Sequence, residues 1–303
     1  MPETMTAAAV SDGYTVQGAS HHVCQDYASA GTPPGEDGDA WAVVSDGCSS
    51  APDTDWGARL LARAAGAHVG SLVPECPGDP ASWLAAAERY HDRVIGEAAG
   101  HARALDLTTP ALTATLLTAR TLGNRLVVAA YGDGVVALRE RNTGRWRVLA
   151  LSFADGKAAY PSYRLDPDTL ALFRGLEANE RRVAALTLPG GEGEGAAEAP
   201  PAALESDFLL WALPREAYDT VALLSDGATS FTGPPDGGNA GARSPVELYE
   251  VLPLLLDFRL MTCGFARRSL HSWQKASRKR GWEHYDDLSL AALYLPPVAE
   301  NMG

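Results

Sequence analysis

The sequence predicts an α+β fold with antiparallel sheets, from three observations. Strand-like segments come in blocks, helix-like segments come in pairs, and two buried runs end on the same tripeptide, Ser-Asp-Gly. Strict alternation of strand and helix would instead require a parallel sheet. Taken in order, residues 1–12 read as a flexible arm. A strand is predicted near 13–18 and another over 39–45. Asp53 and Asp55 offer N-caps to a helix ending about His68. Residues 82–105 carry good helix formers with Leu84, Tyr90, Val94 and Ile95 in helical period. Strands follow over 110–120, 125–130, 135–141 and 146–151, with Asn142-Thr143-Gly144 as a hairpin signal.

The next section is less regular. Residues 190–201 are rich in Gly, Glu, Ala and Pro, which predicts a mobile loop over about 188–206. That segment has neither Gly-Lys-Ser/Thr nor a strand–helix frame, so it is not a phosphate loop. Strands resume at 208–212 and 220–225. Helices are expected over 245–258 and 265–277, and a last strand over 288–295. Composition shows no break that demands two domains, so a single domain over 13–296 with a tail at 297–303 is expected.

Net charge is −13 over 303 residues. This opposes a nucleic-acid binder, whose affinity rests on Lys and Arg. Lysine is confined to Lys157, Lys275 and Lys279, which reads as coding bias. The first ten residues lack the basic and apolar regions of a signal peptide, and no apolar run approaches membrane-spanning length. Cys24, Cys48, Cys76 and Cys263 have no Cys-x-x-Cys spacing, against a zinc site or a disulfide framework. A cytoplasmic protein without a membrane partner is expected.

Chemistry enters with the acidic residues. Trp41-Ala-Val-Val-Ser-Asp-Gly47 and Val221-Ala-Leu-Leu-Ser-Asp-Gly227 each deliver a carboxylate where a buried strand leaves the core. Asp-Gly alone is a common turn dipeptide. Two further sites repeat the pattern: Gly132-Asp133-Gly134 follows a strand-like run, and Tyr285-Asp286-Asp287 precedes one. Carboxylates gathered at strand ends repel one another unless a cation sits between them, and a hard divalent ion takes oxygen ligands.

In order along the chain stand Gly18-Ala-Ser-His-His-Val-Cys-Gln-Asp26, Val44-Ser-Asp46-Gly47, Thr113-Ala-Thr115, Gly132-Asp133-Gly134, Leu224-Ser-Asp226-Gly227 and Asp286-Asp287. This series resembles the metal-dependent protein phosphatases of the PP2C family, in the bacterial branch whose first motif is His followed by Cys-Gln-Asp. The resemblance implies a four-layer αββα sandwich with its site at one edge. It implies two Mn²⁺ or Mg²⁺ ions, with a third weaker one in some members. Asp46 would bridge both ions, the Gly47 carbonyl would bind one, and Asp226 and Asp286 would hold the other. Asp133 would serve the third, and Asp26 would orient the attacking water. The implied reaction is in-line hydrolysis of phosphoserine or phosphothreonine in proteins modified by a Ser/Thr kinase. His21 stands where many members carry a phosphate-gripping Arg, and Cys48 where eukaryotic members carry a His. His21 or His22 therefore becomes the candidate phosphate or proton group. Asp287 ranks below Asp286 as a ligand. Small apolar packing is the simpler role for Cys24 and Cys48, a structural role for His284, and turn formation for Asp37 and Asp39. The alternative is a catalytically weak relative that binds phosphoproteins; a two-metal nuclease is opposed by the charge of −13.

Overall fold

Side chains alternate across a strand, so a strand that is apolar at every position must be covered on both faces. The computed structural model, which describes residues 8–33, 39–153, 158–175, 181–188, 203–235 and 243–297, covers its central strands in this way. The first half contains β1 (Val10–Val16), β2 (Asp26–Gly31), β3 (Trp41–Asp46), α1 (Thr54–His68), α2 (Pro80–Ala104), β4 (Leu116–Leu122), β5 (Arg125–Tyr131), β6 (Gly134–Glu140) and β7 (Trp146–Phe153). Then come α3 (Pro167–Gly175), β8 (Arg181–Leu188), β9 (Leu204–Glu205), β10 (Leu209–Pro214), β11 (Tyr218–Leu224), β12 (Phe231–Gly233) and β13 (Ser244–Pro245). The described chain closes with α4 (Leu248–Leu255), α5 (Phe265–Arg280), β14 (Glu283–His284) and β15 (Leu288–Tyr294).

Two six-stranded antiparallel sheets result, ordered β1-β15-β11-β6-β7-β8 and β2-β3-β4-β5-β10-β9, with a small β13-β12-β14 sheet beside them. Val221 and Leu223 of β11 face Leu126, Val128 and Ala130 of β5 in the layer between the large sheets. The alternate residues Ala222 and Leu224 turn outward under α4 and α5. On the other sheet Val127, Ala129 and Tyr131 turn outward under α1 and α2. Each fully buried Val or Leu in these layers contributes roughly 1.5–3 kcal/mol. The result is the αββα sandwich that the sequence resemblance implied.

Several boundaries differ from expectation, each for a local reason. The first strand starts at Val10, so the arm expected over 1–12 overlaps it; residues 1–7 lie outside the described residues. The strand expected from residue 110 begins only at Leu116, because Pro110 has no N–H for the ladder and opens a short 3-10 turn, Thr109–Leu112. The helix expected from 245 begins at Leu248, behind a reciprocal capping box between Glu247 and Glu250, while Ser244 and Pro245 pair as a strand. Helix α5 runs on to Arg280 and stops where Gly281 adopts φ 70°. Strands β2 and β8 and helix α3 were not foreseen. β2 reads Asp-Tyr-Ala-Ser-Ala-Gly, which has no β-branched residue. Of the loop expected over 188–206, residues 189–202 lie outside the described set, while Leu188 ends β8 and Leu204–Glu205 form β9. The tail from 298 also lies outside it.

Candidate active site

Antiparallel pairing brings the Asp-bearing strand ends to one edge of the sandwich. Asp26 opens β2 directly opposite Asp46, which closes β3. Leu116 at the start of β4 pairs with Tyr131 at the end of β5, which hands the chain to Asp133. In the other sheet Leu224, two residues before Asp226, pairs with Val135 and with Leu290, which follows Asp286 by four positions. His21, Asp46, Gly47, Asp133, Asp226 and Asp286 all line one cavity of about 170 Å³, with Cys48, Ser49, Thr115 and Tyr160. The cavity therefore collects the five leading ligand candidates named from the sequence, Asp46, Gly47, Asp133, Asp226 and Asp286, but not Asp287. Asp26 stands behind it, 3% exposed.

Neighbours from distant parts of the chain fix these side chains. The Asp46 backbone N–H donates to Thr115 Oγ1 (3.1 Å), and its carbonyl accepts from the Thr115 N–H (2.8 Å). Ser45 Oγ donates to the Thr115 carbonyl (2.6 Å), so Thr115 locks the end of β3. Ser225 Oγ donates to Asp26 Oδ2 (2.6 Å) and accepts from the Ser289 N–H (2.9 Å), which ties the two sheets together beneath the cavity. Gly132 has φ 100°, and a Cβ there would stand 2.7 Å from Thr115 Cγ2, so the turn presenting Asp133 requires glycine. At Gly227 a Cβ would meet the Asp287 carbonyl oxygen at 1.8 Å; this close approach is what sets Asp226 beside Asp286.

Asp287 is turned away from the cavity and is 1% exposed. Its Oδ1 accepts from the Gly18 N–H (2.8 Å), and its Oδ2 from the Gln25 N–H (2.6 Å) and His21 Nδ1 (2.9 Å). One carboxylate thus holds both ends of the loop that carries His21. His21 Nδ1 also lies 3.6 Å from Asp286 Oδ1. His22 is exposed and does not line the cavity; both histidines sit in a turn rather than on a strand.

The electrostatics are those of crowded acids. Burial, followed by repulsion from Asp26 and Asp226, holds the Asp46 carboxyl well above the usual range. Burial raises Asp26 to about 7 and, with repulsion from Asp226, raises Asp133 to about 7. Burial and Asp226 also raise Asp286. Burial alone would lower His21, but the Asp287 hydrogen bond and the charges of Asp287 and Asp286 carry it above its ordinary value. Among the described residues, no Lys or Arg lines the cavity.

The cysteines divide. Cys24 is half-buried, and burial pushes its thiol up to about 12, in keeping with a packing role. Cys48 instead lines the cavity, 3.0 Å from Ser50 Oγ. Burial would raise its thiol, but hydrogen bonds from Ser50 and Tyr160 lower it, which corrects the expectation of simple packing. Tyr160 was not singled out from the sequence, nor were the supporting roles of Ser225, Thr115 and Asp287. His284 is structural: it stacks on Phe231 (4.9 Å between centroids), and burial lowers it to about 4. Asp39 is more than a turn former, since it pairs with Arg215 at 3.2 Å; Asp37 lies outside the described residues.

The donor set suits hard divalent ions. Among the described residues no three His, Cys, Asp or Glu side chains close on a single point. The carboxylates stand around open space instead. Such an arrangement fits ions that keep several waters and bind through one or two carboxylates each.

Residues 15–252 match the family model described as protein phosphatase 2C. Three solved structures illustrate the likeness of fold. A serine–threonine phosphatase 2C from Toxoplasma gondii shares 12% identity at TM-score 0.53, over 97% of this chain and 96% of that one. A bacterial serine phosphatase shares 11% at TM-score 0.54, over 94% and 97%. Serine/threonine phosphatase Stp1 from Staphylococcus aureus shares 11% at TM-score 0.51, over 97% and 96%. No curated sequence matches significantly. With the family model spanning most of the sandwich and both Ser-Asp-Gly strands, the chain belongs to the protein phosphatase 2C family, and phosphoprotein hydrolysis is its activity.

Proposed function

We propose that this phosphatase is Mn²⁺- or Mg²⁺-dependent and acts on phosphoserine and phosphothreonine. The observation that carries the proposal is the convergence of Asp46, Asp133, Asp226 and Asp286 on one cavity whose lining, among the described residues, includes no Lys or Arg. Asp46, the Gly47 carbonyl, Asp226 and Asp286 would hold two ions, and Asp133 with Asp226 a third. When bound, such ions supply Lewis acidity that activates water near neutral pH and offsets phosphoryl charge.

The chain's own residues do the rest. Asp26 pairs in register with Asp46, and Ser225 holds its Oδ2. From behind the cavity it would orient the attacking water. His21 presents its ring to the cavity with Nδ1 held by Asp287, so Nε2 is the atom free to meet a phosphoryl oxygen. Asp287 is a positioning residue in this scheme.

The test is phosphate release from p-nitrophenyl phosphate and from a phosphothreonine peptide. Turnover should require added Mn²⁺ or Mg²⁺ and vanish in EDTA. Equal turnover in EDTA would remove the metal-dependent reading. Metal binding without turnover on either substrate would favour a phosphoprotein-binding role.

A further inference from the structure

Helix α5 carries a charge that the active site does not use. Phe265–Arg280 holds six Lys and Arg and no Asp or Glu, in a chain of net charge −13. Elsewhere 19 Lys and Arg face 38 Asp and Glu, a balance of −19. Two of the three lysines, Lys275 and Lys279, stand on this helix.

The helix buries Phe265, Ala266, Ser269, Leu270, Trp273 and Ser277. Its opposite face exposes Arg267, His271, Lys275, Arg278 and Lys279, whose spacing of three and four residues makes one stripe. Arg268 is engaged by the carbonyls of Leu260, Thr262 and Cys263, and Arg280 lies over the Trp282 ring at 4.8 Å. Among the described residues, no ion pair involves Arg267, Lys275, Arg278 or Lys279. Cations in a last turn complement the helix dipole, each by about 0.3–1 kcal/mol. That accounts for Arg278, Lys279 and Arg280 but not for Arg267 or Lys275. Lys275 and Lys279 moreover repel each other at i,i+4, costing about 0.2–0.5 kcal/mol.

The stripe lies on a helix whose axis leads toward the edge that holds the cavity. The Ala266 N–H donates to Asp12 Oδ2 (2.6 Å) in β1, the His271 ring lies 5.6 Å from Tyr14 further along β1, and Trp273 lies 5.3 Å from His284. The helix therefore runs along β1 toward the edge where Asp286 stands. From Lys279, the end of the stripe, to Asp286 is a step of seven residues, which spans at most about 25 Å. A peptide with its phosphorylated residue in the cavity reaches the basic stripe within about the same number of residues.

Resting on the phosphatase reading, we propose that the exposed face of α5 is a docking surface for an acidic segment of the phosphoprotein substrate, displaced by about seven residues from the phosphorylated one. A membrane surface fits worse, because the apolar face that would enter it is already buried against the sheet. A nucleic acid fits worse, because its many phosphates would also meet the surrounding balance of −19. A single acidic strand is narrow enough to follow one helix face, and the stripe would steer it past the like-charged remainder of the surface.

The experiment uses two phosphothreonine peptides that differ only in a distal block of Glu or Gln, with wild type, Lys275→Glu/Lys279→Glu, and Arg103→Glu as a control for charge reversal elsewhere on the surface. The Glu peptide should show a KM about five- to tenfold lower than the Gln peptide in wild type. The double variant should erase that difference, Arg103→Glu should keep it, and about 0.5 M salt should erase it in every variant. Turnover of p-nitrophenyl phosphate should be unchanged throughout. Binding of an unphosphorylated, fluorescent Glu peptide is read alongside, so that a failure of the phosphatase reading is distinguished from a failure of the surface. Equal KM values for both peptides in wild type, or an equal effect of the double variant on both, would overturn the proposal. So would tighter binding of a single-stranded RNA oligomer or of anionic lipid vesicles through the same lysines.

Discussion

Asp287→Ala tests the most consequential contact in the site. The substitution removes one acceptor group from three donors: the Gly18 N–H, the Gln25 N–H and His21 Nδ1. A buried donor left without a partner costs about 1–3 kcal/mol. His21 can turn toward water, since its side chain is 21% exposed, so the two backbone donors dominate. The expected loss is about 2–6 kcal/mol, a large share of a typical stability of about 5–15 kcal/mol. Asp287→Asn keeps one acceptor oxygen and turns an NH₂ toward the remaining donors, for a loss of about 1–3 kcal/mol. Urea unfolding followed by circular dichroism gives both values, with an unchanged slope as the check that the native surface is preserved. Turnover should fall in the same order, because the loop that presents His21 loses its clamp. If Asp287→Ala unfolds at the wild-type midpoint, the three contacts do not hold the loop, and His21 has no fixed orientation.

Other outcomes follow from the same geometry. Asp46→Asn and Asp226→Asn should each lower turnover at least about 100-fold while leaving the fold intact. In EDTA, Asp46→Asn should melt at or above the wild-type temperature, because a repulsion with Asp26 and Asp226 is relieved. Millimolar Mn²⁺ should raise the wild-type Tm with concentration, following RT ln(1 + [L]/Kd), and should do so far less for Asp46→Asn. His91 is fully buried, has no hydrogen-bond partner on either ring nitrogen among the described residues, and burial lowers it to about 3. The native state therefore keeps it neutral while the unfolded chain protonates it below about 6.5, so stability is lost as pH falls from 6.5 toward 3. The contribution approaches about 1.4 kcal/mol per pH unit, and His91→Leu should remove that share of the pH slope in urea titrations.

What the sequence determined by itself was local. An apolar run that stops at Ser-Asp-Gly reads as a strand and its exit without reference to anything else, and the recurrence at Asp46 and Asp226 marked both carboxylates. Asp133 and Asp286 followed for the same reason, each beside a strand-like run. The order of motifs then implied the sandwich, because a family preserves the order in which such exits occur. Boundaries failed where a single residue outweighed the local pattern, as Pro110 did, or where the pattern was blank, as in β2.

Only the tertiary structure decided which of two adjacent aspartates enters the cavity. Asp286 and Asp287 are indistinguishable by type, yet one lines the site and the other clamps Gly18 and Gln25, 269 and 262 positions away. Ser225 became a support for Asp26 only because the two sheets pack face to face, across 199 residues. Tyr160 reached Cys48 from a segment with no strand or helix pattern to announce it. The basic stripe of α5 is likewise plain in composition, but the course of its helix toward the cavity edge is set by packing along β1. Local patterns follow from the short-range geometry of the backbone. Contacts between distant segments depend on how whole sheets pack, and no spacing within a single segment encodes them.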